Sequence, residues 1–225
     1  EPVTSASVRI GYAAAHIILK DSYSDDPKPS NVSEHVDWNQ TMVFRQHLAR
    51  QGFGIAEAMD TGQRFELGWP TARRLIDECG ALELKTGFIA GAGADQCDDV
   101  ADLTTLIDAV VEQVGIIQQV GGIPIILPMP WLCQWGSDEE QFISTYRSIF
   151  EQCEGPLFIH WLGPMFLAEL EGYFPGDSLR KILEIDPDKA PAHSLLSKVY
   201  QQQGELDKSV LHAKKAVELA PQSAE

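Results

Sequence analysis

The chain has 225 residues, 44% of them hydrophobic and 22% charged, so it can bury one sizeable core, or one domain plus a small appendage, and is not a disordered tract. Its formal net charge is −16. A surface so acidic repels phosphate backbones and anionic lipid, and no basic patch offsets it, so neither nucleic acid nor a membrane is expected as a partner.

Short apolar runs alternate with longer segments of helical period, which predicts an α/β chain of β-α units with a parallel sheet. Val8–Ala14 (VRIGYAA) reads as the first strand and Asp21–Glu34, rich in Ser, Asp and Pro, as a long exposed loop. Asp37 and Gln40 form a capping box for a helix through Arg50, with Val43, Phe44, His47 and Leu48 inward. Phe53–Ala58 is a second strand, and after the turn-rich MDTGQR a helix runs over about Pro70–Cys79, with Pro70 well placed in its first turn. Thr86–Ala90 is a third strand, followed by a helix over Leu103–Val120 with Leu106, Ile107, Val110, Val114 and Ile117 inward. Ile123–Pro128 is a fourth strand, Ser137 and Glu140 cap a helix through Gln152, and Pro156–Trp161 is a fifth strand. Right-handed crossovers place each strand beside its predecessor, which predicts the order 1-2-3-4-5.

The last residues differ. Residues 1–177 hold 10 Lys+Arg against 26 Asp+Glu, whereas 178–225 hold 7 against 7. Pro187 and Pro221 lie 34 residues apart, the tetratricopeptide period. Leu196, Tyr200, Gly204, Leu206, Ala213 and Ala216 stand where that repeat places packing residues, predicting paired helices at Ala190–Gln203 and Leu206–Leu219. About three such repeats are needed for independent stability, so the tail must dock on something. The domain division expected is therefore 1–177 and 178–225.

Four cysteines (Cys79, Cys97, Cys133, Cys153) are far apart, without a C-x-x-C pair or a histidine at metal-ligand spacing. They read as isolated thiols in a reducing compartment, with no metal and no cofactor, and the expected location is cytoplasmic. The apolar run Gly121–Cys133 is broken by three prolines and is too short to span a bilayer, and no basic-then-apolar leader opens the sequence.

In a parallel barrel, chemistry sits where the strands end, so the segments leaving them are the candidates. Glu57, Asp60, Thr61 and Gln63 follow the second strand, Gly91, Gly93, Asp95 and Gln96 the third, and His160 and Trp161 end the fifth. Carboxylates and an imidazole converging on one rim could move protons or hold a ligand; capping of loop backbone is the competing use.

Through RIGYAAAH, GFGIAEAMDTGQR, AGAGADQ, IHWLGPMF and EGYF, residues 8–177 resemble the N-terminal part of a dihydrodipicolinate-synthase-related family (domain of unknown function 993). The resemblance implies a partial (βα)8 TIM barrel of about five units. It also implies the aldolase superfamily, whose members use a lysine Schiff base with a 2-oxo acid. By the same resemblance Asp60, Thr61 and Gly62 match the loop that binds the substrate carboxylate, and Gly91 and Gly93 match the glycines after strand three. Asp95 and Gln96 join the substrate-binding set, and Glu57 is a rim carboxylate. His160 stands where the superfamily commonly has a tyrosine proton shuttle. The Schiff-base lysine of such enzymes comes from a sixth strand, whereas here EGYFPGDS leads into the repeat, and Lys20, Lys28 and Lys85 lie elsewhere.

Two functions follow. One is a lyase-related barrel segment, inactive as a class I aldolase, that meets a 2-oxo-acid-like small molecule. The other is an interaction or scaffold protein that self-associates or binds a protein partner through its tail and open barrel edges. An open half-barrel would leave Ile125, Leu127 and Phe158 uncovered, and the tail residues Leu179, Ile182 and Leu183 would need burial.

Overall fold

The computed structural model describes residues 10–25, 29–59, 64–160, 162–165, 167–185 and 206–219. The described residues form two compact units: 10–133 with 149–171, and 134–148 with 172–185 and 206–219.

The first unit is built on five parallel strands in the order β1-β2-β3-β4-β5, as expected: Tyr12–Ala14, Gly54–Glu57, Phe88–Ala92, Ile123–Ile126 and Phe158–Ile159. The third strand starts two residues later than the sequence suggests, because a turn at residues 85–87, with Gly87 at φ +68°, delivers the chain to Phe88. The helices are α1 (Trp38–Arg50), α2 (Arg64–Leu67), α3 (Trp69–Gly80), α4 (Leu103–Gln119), α5 (Pro130–Gln134) and α6 (Glu139–Gln152).

Register sorts the strand residues onto two faces. Tyr12, Gly54, Ala14, Ala56, Ile89, Ile123, Gly91, Ile125 and Phe158 are linked by direct pairing and share one face. Ile55, Glu57, Phe88, Ala90, Ala92 and Ile126 share the other, are buried, and lie under α1, α3 and α4. On the first face Met59, Ile89, Ile125 and Leu127 form a core, with Tyr12, Ala56, Ile123 and Phe158 packed around it.

One contact measures the curvature. In a flat sheet β1 and β5 would lie about 19 Å apart, four interstrand spacings. The Tyr12 and Phe158 rings instead meet edge to face with centroids 6.3 Å apart. The sheet therefore curls until its edge strands touch through their side chains, as strands one and five do across an eight-stranded barrel. This corrects the expectation of an uncovered inner face. Ile125 and Leu127 are buried and Phe158 is half-buried, because curling packs the inward side chains on one another.

The segment between β1 and α1 also departs from expectation. Instead of an exposed loop it makes two 3-10 turns, Asp21–Asp25 and Pro29–His35. An antiparallel bridge pairs Leu19 with Val36, and Lys20 N–H donates to His35 O at 2.8 Å. Val32 and Val36 are buried with Ile17, Met42, Leu67 and Leu75, while Asp21 and Glu34 remain exposed. The strap covers apolar side chains that α1 and α3 present.

Helix starts follow the sequence closely. Asp37 caps α1 by accepting from Gln40 N–H at 2.9 Å, and Asp102 caps α4 by accepting from Thr105 N–H at 2.8 Å. The box on α6 sits one residue later than expected. Asp138 Oδ1 accepts from Gln141 N–H and Gln141 Oε1 accepts from Asp138 N–H, at 2.9 and 3.0 Å. In α4 Leu106, Val110, Val114 and Ile117 are buried as predicted, and Ile107 is half-buried.

In the second unit, α6 buries Phe142 and Tyr146 against Tyr173 and Phe174, with Tyr146 and Tyr173 hydroxyls 3.0 Å apart. Glu139 accepts from Asp177 N–H and from the Lys181 ammonium, so it fixes the start of α7 (Ser178–Leu183). Leu179, Ile182 and Leu183 are buried. A further helix, α8, spans Leu206–Leu219. The second helix expected, at 190–203, lies outside the described residues, as do Pro187, Gly204 and Pro221.

The cross-sheet contact is open to test by a double-mutant cycle. Tyr12→Leu and Phe158→Leu should each lower the urea midpoint, with a coupling of about 0.5–1.5 kcal/mol between them. Strict additivity would show that the edges do not meet.

Candidate functional site

The ends of β1, β2 and β3 are held by two buried arginines, neither of which the sequence marks. Arg45 and Glu57 are each 0% exposed. Arg45 Nε donates to Glu57 Oε2 at 2.5 Å and Nη2 to Glu57 Oε1 at 2.8 Å. Its remaining protons go to the carbonyls of Ala15, His16 and Thr41 at 3.0–3.1 Å. All five guanidinium donors are thereby used. Glu57 Oε1 also accepts from Ala58 N–H at 2.9 Å.

This pair corrects the reading of α1. Its buried side is Thr41, Met42 and Arg45, whereas Val43 and His47 are exposed and Phe44 and Leu48 half-buried. The helix turns a cation inward because Glu57 waits beneath it.

Arg64, at the start of α2, repeats the arrangement one strand further on. It is 0% exposed and its partner Asp95 is 16% exposed. Arg64 Nε and Nη2 bind the two oxygens of Asp95 at 3.0 and 2.7 Å. Nη1 donates to the carbonyls of Ala58 and Gly91 at 3.0 and 2.6 Å, and Nη2 also donates to Gln113 Oε1 at 2.5 Å. Gln113, buried on α4, accepts from Gly93 N–H at 2.7 Å and donates to Asp95 and Gln96. Gln96 in turn donates to Ala109 O and Glu112. A strand end leaves carbonyls without a sheet partner, and the arginines supply the missing donors.

The candidate residues thus fall into four groups. Gly91, Gly93, Asp95 and Gln96 come together around Arg64 and Gln113, while Glu57 belongs to the neighbouring pair. Asp60, Thr61 and Gly62 lie outside the described residues. His160, half-buried at the end of β5, donates its backbone N–H to Ile126 O at 2.9 Å and so extends the β4–β5 ladder. Arg45, Arg64 and Gln113 are the residues the sequence did not disclose.

The glycines have packing reasons. A Cβ on Gly91 would stand 2.8 Å from Ala58 O and 3.1 Å from Arg64 Nη1, so only glycine lets β3 approach the arginine. Gly93 is free of such crowding, and its N–H is already given to Gln113. Ala58 takes a left-handed conformation, φ +46°, held by the Glu57 carboxylate on its N–H and Arg64 on its carbonyl.

Burial acts to raise the Asp95 carboxyl, but the hydrogen bonds and charge of Arg64, with Gln113, outweigh it and hold the group below the ordinary aspartate value. Burial pushes the Cys79 thiol well up, and the Glu57 charge adds to the effect. Burial likewise raises Cys97, Cys133 and Cys153, and all four thiols are free. None is poised as a thiolate nucleophile.

Lys20, Lys85, Lys181, Lys208 and Lys214 are exposed, and Lys28 lies outside the described residues. Lys85 lines an open hollow of about 430 Å³ with Glu83, Phe88 and Val120, where the chain enters β3 and β4, at the end opposite the rim. Among the described residues no group of three or more His, Cys, Asp or Glu could hold a metal ion, and no helix is long and apolar enough to cross a membrane.

A family model described as Protein of unknown function (DUF993) matches residues 1–195. The chain belongs to this family. The match agrees with the strand-end motifs on domain of unknown function 993 and continues past residue 177 into the segment that begins α7. No curated protein matches the sequence. In this member of the family, the motif residues Glu57, Gly91 and Asp95 are contacts of the two arginines.

Removing one partner of a buried pair strands a charge, so Glu57→Gln or Arg64→Met should each cost about 3–5 kcal/mol, read as a lowered urea midpoint. The pH dependence has a definite sign. Because Asp95 is depressed when folded, its contribution is complete above the unfolded value near 3.8 and is lost as pH falls through the folded value. Urea midpoints measured downwards from about pH 5 should fall more steeply in the parent than in Asp95→Asn. Parallel slopes would remove Asp95 from the account.

Proposed function

We propose that residues 8–177 are a dihydrodipicolinate-synthase-like barrel segment, related to 2-oxo-acid lyases, that performs no class I aldolase chemistry. One observation carries this reading: the charged groups at the ends of β2 and β3 are consumed by internal pairs, and Lys20 and Lys85, the lysines described in this unit, are exposed. Schiff-base chemistry needs an amine whose pKa is lowered by burial or a neighbouring cation, and an exposed lysine on an acidic protein has neither.

The same network limits what a ligand could use. A substrate carboxylate seeks free N–H donors or a guanidinium, yet both arginines are saturated and Gly93 N–H is taken. Asp95, kept ionised by Arg64, is a poor general base because its proton affinity is too low for work near neutral pH. Any 2-oxo-acid-like small molecule is therefore assigned to the His160 side of the rim, where an imidazole can take up or give a proton.

Borohydride reduction in the presence of pyruvate, followed by intact-mass measurement, should leave the chain unmodified. An adduct of pyruvate mass on any lysine would overturn the reading. Chemical-shift mapping with pyruvate should move the His160 resonances and leave those of Gly91 and Gly93 in place; the reverse pattern would count against a closed β2–β3 rim.

A further inference from the structure

The helix α8 presents an apolar row to solvent. Leu206, Val210 and Leu211 are 64%, 52% and 64% exposed, whereas Ser209 marks the buried side. Residues three or four apart are neighbours on a helix face, so Leu206 and Val210 form one row, and Asp207, Leu211 and Lys214 form the next. Asp207 and Lys214 are exposed as well. The surface thus reads acidic, apolar, basic along about 10.5 Å of helix axis.

We propose that this face docks on a second copy of the same chain, α8 against α8, antiparallel about a two-fold axis between Val210 and Leu211. The inference is independent of what the barrel rim binds. Charge order is the argument. A two-fold interface sets each residue against its mirror position in the helix, so its charges must be of opposite sign at equal distances from the axis. Asp207 and Lys214 lie equally far from that axis and meet the condition: each Asp207 faces Lys214 of the second copy, with Val210 and Leu211 of both chains between the two pairs. Parallel pairing would oppose Asp207 to Asp207 and Lys214 to Lys214, which repels. Two helices of this length make a small contact, so the association belongs to the weak class.

The test is sedimentation equilibrium of the full chain between about 1 µM and about 1 mM. The mass should rise towards twice that of the monomer across this range. Val210→Glu should shift the midpoint at least tenfold towards monomer, with circular dichroism checking that helix content is kept. Asp207→Lys and Lys214→Asp should each weaken association, and the two together should restore it. These residues are seven apart and do not touch within one chain, so restoration can arise only between copies. A monomer throughout the range would overturn the proposal. So would a dimer indifferent to Val210→Glu, a double charge variant no better than the singles, or capture of a different protein by α8 while the chain stays monomeric.

Discussion

A guanidinium that leaves water loses the solvation of five donors at once, and a buried arginine is tolerated only where the fold returns all five in fixed geometry. Arg45 meets this demand by drawing on three separate stretches of chain: the exit of β1, its own helix, and the Glu57 carboxylate at the end of β2. The pair therefore ties the positions of α1, β1 and β2 to one another. Arg64 extends the tie to β3 and α4 through Ala58, Gly91, Asp95 and Gln113. Between them the two cations set where three consecutive strands end.

Such pairs add little to net stability compared with a well-packed apolar core, since desolvation offsets much of the attraction. Their effect is on uniqueness. A slip of one residue in β2 would turn Glu57 to the inner face and leave Arg45 buried beside apolar side chains. The same saturation that defines the geometry takes the rim's donors out of use for a ligand. Polar side chains leaving strand ends invite a catalytic reading, and here the polar atoms of Glu57, Asp95, Gln96 and Gln113 are engaged with the protein itself.

The inner face follows a different logic. Small residues on the first strands, Ala14, Gly54 and Ala56, leave room, and the bulky Tyr12 and Phe158 at the two edges meet across it. A Cβ on Gly54 would stand 2.5 Å from the Tyr12 ring, so the tyrosine lies directly over that glycine. Curvature here comes from side-chain size as much as from strand twist. Burial of Ile125 and Leu127 is the result, achieved with five strands among the described residues.

Local signals carried much of the architecture. Alternating apolar runs and helical periods placed five strands and their helices, and short crossovers dictated the strand order; Asp37 and Pro70 mark their turns through backbone chemistry that needs no distant partner. The strand-end motifs placed the chain in its family. Nothing local announces Arg45 or Arg64, because an arginine on a helix is ordinarily a solvated charge and becomes a buried one only when a carboxylate from another element stands under it. The strap before α1 departs from its sequence pattern for the same reason: its polar composition suits solvent, and only the apolar side chains of α1 and α3 give Val32 and Val36 somewhere to go. The sequence by itself thus determined the class, the order of the strands and where the helices begin. Which polar residues are spent inside the protein, and which remain for a ligand, was decided only when distant elements met, since hydrogen-bond saturation is a property of the assembled rim and of no single segment.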